Sequence, residues 1–404
     1  MKYLLILADG MADYPIPELN NKTPLQYANT PFIDSLAPRS LVGKVKTIPA
    51  GFMPGSDVAN LSVMGYDPQK YYTGRSPLEA ISMGVKLSAT DLALRCNLVT
   101  LSDDEDYADK TMLDYSAGEI STKDAAVLIN TLQSELGNID FAFHPGISYR
   151  HLTVWSKGAN KEVVLTPPHD ISDRLIRDYL PAGLDGEILR EIMIKSEPIL
   201  KNHPLNIKRI NSGHNPANSI WFWGEGQSPS LPHFKAKYGL AGSVVAAVDL
   251  VKGIGISAGL NAVNVAGATG SIETNFAGKA AAALKELKNG QDFVYLHIES
   301  PDEAGHQGSL EKKIWAIEQI DKEVVSLVID QLDQFDDIRI LLLPDHPTPL
   351  SVKTHTSDPV PFMLFDKNKP VANESGSYNE EAAAQGMFVG SGYELMDMFI
   401  GKQG

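Results

Sequence analysis

The sequence predicts a two-domain α/β protein: a mostly parallel sheet with helices on both faces, interrupted by a smaller α/β domain. Three observations carry this. Short continuous apolar runs recur at residues 3–8, Phe293–Ile298 and Ile338–Leu343, as expected of parallel strands buried on both faces. Between the last two, Ile314, Ile317, Ile320, Val324, Leu327 and Val328 recur at helical spacing, giving strand, amphipathic helix, strand. The stretch between about 76 and 215 has a different texture, with scattered strand-like pieces at 92–100, 148–155 and 163–166 and Pro/Gly-rich edges at 74–77 and 212–216. The main domain is therefore expected at 1–75 and 220–404, and the insertion at 76–219, with hinges at its two Pro/Gly-rich edges.

Composition bounds the rest. The chain has 404 residues, 43% hydrophobic and 21% charged, enough for two packed cores. A formal net charge of −15 argues against a nucleic-acid partner, which needs a basic face. An anionic substrate stays compatible if metals or local Lys and Arg invert the field. The single cysteine, Cys96, lies in the apolar run Leu94-Arg95-Cys96-Asn97-Leu98-Val99 and reads as a small buried hydrophobe. With no disulfide possible within the chain, no run approaching the ~20 apolar residues of a membrane span, and an N-terminal apolar run that meets Asp9 too early for a signal sequence, a cytoplasmic protein is expected.

The chemistry is carried by the residues just beyond the strands. Residues 3–8 run into Asp9; Phe293–Ile298 leads to Pro301-Asp302-Glu303-Ala304-Gly305-His306; Ile338–Leu343 leads to Pro344-Asp345-His346-Pro347. Ligands bind at the carboxyl edge of an open parallel sheet. Asp9, Asp302, His306, Asp345 and His346 are thereby expected at one edge, with His355 in a nearby loop as a further ligand. One aspartate after a strand reads more simply as a helix cap or turn residue. Three of them with two adjoining histidines point to a metal centre. Mixed carboxylate and imidazole donors suit Mn, Zn, Fe or Co better than Ca or Mg.

Ser56, in Pro54-Gly55-Ser56-Asp57-Val58-Ala59-Asn60-Leu61, opens a helical pattern. Alone it reads as a helix cap; beside a metal centre it reads as a nucleophile whose hydroxyl a cation activates. Two other signals point nowhere. Gly253-Ile254-Gly255-Ile256-Ser257-Ala258-Gly259 has its last glycine one place late for a dinucleotide loop, and no Walker A sequence is present.

Taken together, Asp9-Gly10, Gly55-Ser56-Asp57, Pro301-Asp302-Glu303-Ala304-Gly305-His306 and Pro344-Asp345-His346 resemble the alkaline phosphatase superfamily. Within it the chain resembles the archaeal-type 2,3-bisphosphoglycerate-independent phosphoglycerate mutases. Asn60 with Gly65-Tyr66-Asp67-Pro68, Gly74-Arg75-Ser76-Pro77-Leu78-Glu79-Ala80 and Leu343-Pro344-Asp345-His346-Pro347-Thr348-Pro349 strengthen the likeness, which is strongest over 1–80 and 240–360. The resemblance implies an alkaline-phosphatase-like sheet and two divalent metal ions, Mn²⁺ or Zn²⁺. Asp302, His306 and His355 would hold one, and Asp9, Ser56, Asp345 and His346 the other. It implies interconversion of 3-phosphoglycerate and 2-phosphoglycerate through a phosphoserine at Ser56, with the insertion clamping a small phosphorylated hydroxy acid. Transfer to another hydroxy acid such as homoserine, and metal-dependent phosphate hydrolysis, are the alternatives. Arg75, Arg95, Arg150, Lys237 and Lys252 are the candidate cations for substrate; Arg95 and Arg150 lie beside apolar strand runs, and the segment around Lys252 is similar to a substrate-binding segment of the family. His151, His169 and Asp170 are candidate proton-transfer groups in the insertion.

Overall fold

The computed structural model describes residues 1–401. Among these residues thirteen strands are interspersed with helices: β1 (Lys2–Ala8), β2 (Ser40–Val45), β3 (Leu92–Leu101), β4 (Met112–Asp114), β5 (Phe141–His144), β6 (Arg150–Trp155), β7 (Ser219–Gln227), β8 (Gly242–Val245), β9 (Asn261–Val263), β10 (Phe293–Ile298), β11 (Ile338–Leu343), β12 (Val360–Asp366) and β13 (Met387–Val389). They divide between two compact units, Met1–Tyr72 with the chain from Ser230 onward, and Thr73–Pro229.

The first unit holds an eight-stranded sheet in the order β13-β2-β12-β11-β1-β10-β8-β9. Only β12 runs against its neighbours; every other pairing is parallel. The three apolar runs read from the sequence are its centre, β10-β1-β11. Leu4, Ile6 and Ala8 of β1 pack on one face against the helix Phe276–Lys288 and against Ile317, Ile320, Val324 and Val328. The helical run from Leu310 is interrupted by a wider π-helical turn over Ile320–Val325, which the spacing of apolar residues did not reveal. Register decides where chemistry can occur. Leu7 lies opposite both His297 and Leu343, so β1, β10 and β11 end level, and the residues after them emerge at one edge.

The second unit is built on β3, buried along its whole length and paired antiparallel with β6, β7 and β4. Helices Thr122–Leu136 and Gly186–Lys201 cover it, and Leu128, Leu132, Leu189, Met193, Trp221 and Phe222 share one core. Cys96 sits in that core, where burial pushes its thiol up to about 12. The unit runs to 229 rather than 219, because β7 pairs along β3 from Leu92 to Val99. Residues 212–216 are thus a loop within the unit, not its hinge. Its ends close on each other. The Gln227 amide donates to the Thr73 carbonyl at 3.1 Å, and the Thr73 hydroxyl donates to the Gln227 carbonyl at 2.7 Å. Gly74, at φ +117°, permits this approach, since a Cβ there would lie 2.7 Å from the Gly226 Cα. Among the described residues no helix is long and apolar enough to cross a membrane.

Candidate active site at the carboxyl edge of the sheet

Asp9 leaves β1 fully buried, followed by Gly10 at φ +61°. Asp302 and His306 lie one turn apart on the helix Ser300–His306, on the same face, with the carboxylate and imidazole 3.2 Å apart. Asp345 and His346 leave β11 with no measurable exposure. The loop beyond them returns His355, whose Nε2 lies 3.0 Å from His306 Nε2 and 3.5 Å from Asp302 Oδ1. Six of the seven predicted ligands, from separate segments, therefore lie at one edge.

Two triads, Asp302–His346–His355 and Asp9–Asp345–His346, each offer ligand atoms within 4.8 Å of one another. His346 belongs to both, and its ring lies 4.0 Å from that of His355. A third set, Asp9–His297–Glu299, adjoins them. The electrostatics suit cations. Burial, then the charges of Asp345, Asp302 and Glu299, push Asp9 well above the usual carboxylate range. Its Oδ1 is buried without a hydrogen-bond partner, while Oδ2 is 2.9 Å from His297 Nε2. A carboxylate oxygen left this way among other carboxylates fits a divalent ion, whose charge would offset the repulsion. Burial opposes the charge of Asp302, but the hydrogen bonds of His306 and His355 prevail and hold it well below its usual range. The same bond raises His306 to about 9.

Ser56 is the first residue of the helix Ser56–Val63, and its Oγ lies 3.0 Å from His346 Nε2. Asn60, one turn on, donates through Nδ2 to the Ser56 carbonyl at 2.8 Å and to Asp345 Oδ2 at 2.7 Å, and Tyr295 donates to its Oδ1 at 2.7 Å. Asp57 is turned to its own helix start and to Tyr72: it accepts from the Val58 amide at 2.9 Å and the Tyr72 hydroxyl at 2.5 Å.

Comparison with known proteins identifies the family. The family model for 2,3-bisphosphoglycerate-independent phosphoglycerate mutase matches residues 37–206. Mutases of that name from Methanosarcina mazei and Methanosarcina acetivorans are 50% and 51% identical, each over 96% of both chains. The chain belongs to this family. A solved protein from Pyrococcus horikoshii covers 100% of this chain and 98% of its own, with TM-score 0.84 and 29% identity. The cofactor-independent phosphoglycerate mutase of Thermoplasma acidophilum covers 100% of both chains, with TM-score 0.68 and 25% identity.

Members of this family handle an anionic substrate by name, and the predicted cations divide accordingly. In the second unit, Arg75 and Arg95 both reach Glu79, at 2.9 and 3.1 Å. Arg95 is buried and stacks on Trp223, 4.4 Å from guanidinium to ring, and burial pulls it down to about 10. Arg150 is exposed and lies over Tyr149. His169 meets the edge of Trp223; burial, and then the charges of Arg95, Arg75 and Arg150 against that of Asp170, keep it below its ordinary value. These residues make one basic cluster. His151 is different: its Nδ1 accepts the Gly146 amide, and burial holds it neutral, down to about 3.

In the first unit, Lys237 is not a free cation. It donates to the Gly65 carbonyl and, at 2.7 Å, to the Tyr238 hydroxyl, and lies over the rings of Tyr66 and Tyr238. Lys252 is half-buried on the helix Asp249–Ser257, close enough for its charge to disfavour that of Lys279. Lys279, His297 and Tyr295 escaped the sequence reading, since each sits inside a helix or an apolar run where nothing in its spacing marks it; Asn60 and Thr348 were read only as parts of a family-like string, with no role of their own.

Proposed function

We propose that this chain is a metal-dependent phosphoglycerate mutase of glycolysis, interconverting 3-phosphoglycerate and 2-phosphoglycerate through a phosphoserine at Ser56. The observation that carries the reading is the Ser56 hydroxyl 3.0 Å from His346 Nε2, at the edge where Asp9 and Asp345 also converge. Asp302, His306 and His355 would hold one divalent ion and Asp9, Ser56, Asp345 and His346 the other. Two such ions, Mn²⁺ or Zn²⁺ by the donor chemistry, would lower the pKa of the serine hydroxyl and neutralise phosphoryl oxygens. As Ser56 Oγ bonds to phosphorus and gives up its proton, the P–O bond to the glycerate breaks. The departing oxygen keeps the electron pair and takes a proton. The glycerate turns, and its other hydroxyl attacks the phosphoserine, returning the Ser56 oxygen. The helix Ser56–Val63 begins with main-chain N–H groups that would face the transferred group. Arg75, Arg95 and Arg150 in the second unit, and Lys252 in the first, supply cations for the carboxylate and phosphate. The second unit would clamp the substrate and exclude water, which separates transfer from hydrolysis. A lone reduced Cys96 fits a cytoplasmic enzyme.

The test is conversion of 3-phosphoglycerate with Mn²⁺ present and no bisphosphoglycerate added, with released phosphate scored in parallel. Enzyme quenched in acid should carry a phosphoryl group on the peptide containing Ser56. Ser56→Ala should retain metal and lose transfer entirely. An active Ser56→Ala enzyme, or a phosphopeptide elsewhere, would refute the phosphoserine route; phosphate release without 2-phosphoglycerate would make the protein a phosphatase.

A further inference from the structure

We propose that Thr348 is a positioning residue whose single hydroxyl orients ligands of both metal groups at once; this rests on the metal reading above. Thr348 is fully buried. Its Oγ1 lies 2.5 Å from Asp302 Oδ1 and 3.2 Å from His346 Nδ1. A hydroxyl carries one proton, and a carboxylate only accepts. Thr348 therefore donates to Asp302, and its lone pair accepts the N–H of His346 Nδ1. That choice fixes the tautomer of His346. Its Nε2 is left with the lone pair, facing Ser56 Oγ at 3.0 Å, Asp345 Oδ2 at 3.3 Å and Asp9 Oδ1 at 3.6 Å. Outer partners that set ligand tautomer and ring orientation are worth about 10- to 100-fold in metal affinity.

The main chain that carries the hydroxyl is itself held. The Thr348 amide donates to the Ala12 carbonyl at 3.3 Å, just beyond β1. The Thr348 carbonyl accepts at 2.8 Å from Lys313, a fully buried lysine whose ammonium also binds the Ala12 carbonyl and the Asp13 carboxylate. Two glycines close the cradle: a Cβ on Gly10 would lie 2.6 Å from Thr348 Oγ1, and one on Gly305 would lie 2.5 Å from the Thr348 carbonyl oxygen. Segments following β1, β10 and β11 thus converge on one threonine, which couples Asp302 in one ligand group to His346 in the other.

The test separates hydroxyl from shape. Thr348→Val keeps the outline and removes the hydroxyl; Thr348→Ser keeps the hydroxyl and removes the methyl; Thr348→Ala is a second hydroxyl deletion should the valine variant not fold. Mn²⁺ alone is titrated into each metal-free protein and free Mn²⁺ is read by electron paramagnetic resonance. Nitrogen NMR of the histidine rings reports the His346 tautomer. The expected result is a dissociation constant raised about 10- to 100-fold for the valine or alanine variant, with loss of a single His346 tautomer, and near-normal values for serine. Wild-type Mn²⁺ affinity and tautomer without the hydroxyl would overturn the proposal, as would a serine variant as weak as valine, which would make the role one of packing. Neither outcome touches the phosphoserine reading, which fails only on the Ser56 experiments.

Discussion

Replacing Gly10 by alanine should damage this centre more than the same change at another left-handed glycine, by an amount the geometry sets. Gly10 and Gly51 have φ of +61° and +90°. An alanine in the left-handed region costs about 1–2 kcal/mol at either position. Loss of unfolded-chain freedom, about 0.4–1 kcal/mol in the opposite direction, is common to both and cancels in the comparison. The surroundings differ. A Cβ at Gly51 meets nothing within 4 Å, whereas one at Gly10 falls 2.6 Å from Asp302 Cα, Asp302 Oδ1 and Thr348 Oγ1. The Asp302 backbone starts a buried helix and cannot step aside as a flexible side chain would, so overpacking adds about 1–3 kcal/mol. Gly10→Ala should therefore be less stable than Gly51→Ala by about 1–3 kcal/mol in urea unfolding of the metal-free proteins. It should also bind Mn²⁺ more weakly, because the clash pushes on Asp302 and Thr348, while Gly51→Ala binds as wild type. Equal stabilities and equal Mn²⁺ affinities for the two variants would refute the reasoning.

The basic cluster and the buried histidine of the second unit give two more tests. Arg150→Ala, which removes an exposed guanidinium, should raise KM for 3-phosphoglycerate about 10- to 100-fold by loss of a charge-assisted contact, with metal content unchanged; an unaltered KM would remove Arg150 from the substrate site. For His151, the folded pKa of about 3 lies below the ordinary 6.5, so its contribution to stability is complete above pH 6.5 and is lost as pH falls toward 3. Between pH 7 and pH 5 that loss is at most about 2 kcal/mol. Followed by fluorescence of Trp155, Trp221 and Trp223, which lie in this unit, His151→Asn should show a flatter decline over that interval, and parallel curves would refute the assignment.

Much of this arrangement was legible in the order of residues alone, and the reason is geometric. A strand buried on both faces is mostly apolar, so the acidic residue just beyond such a run marks its end. Level strand ends then turn three distant aspartates into neighbours, as the opposition of Leu7 to His297 and Leu343 shows. The parts that stayed hidden obey the same logic. His297 lies inside β10, two residues before the strand-following segment, and an imidazole paired with a buried carboxylate leaves no trace in the pattern of apolar residues. Thr348 was part of a recognisable string, yet its role depends on where its hydroxyl points, and that is settled by Gly10, Gly305 and Lys313, each from another segment. Lys237 reads in sequence like any other basic residue; its tertiary partners, the Gly65 carbonyl and two tyrosine rings, come from segments that its own run does not reveal. The boundary at 219 failed because Pro and Gly at 212–216 mark a turn, and a turn before an antiparallel partner strand looks the same in sequence as a hinge.

The clasp between Thr73 and Gln227 has a consequence for how such a protein could have arisen. A segment whose two ends hydrogen-bond to each other asks little of the host chain that receives it. The host need only tolerate a break where two adjacent points are joined, as a short surface loop would join them. The whole of Thr73–Pro229 can then be gained, enlarged or exchanged as a cassette, while the strand ends that gather the aspartates and histidines keep their register. The two units would in this way be free to diversify at different rates within one continuous chain.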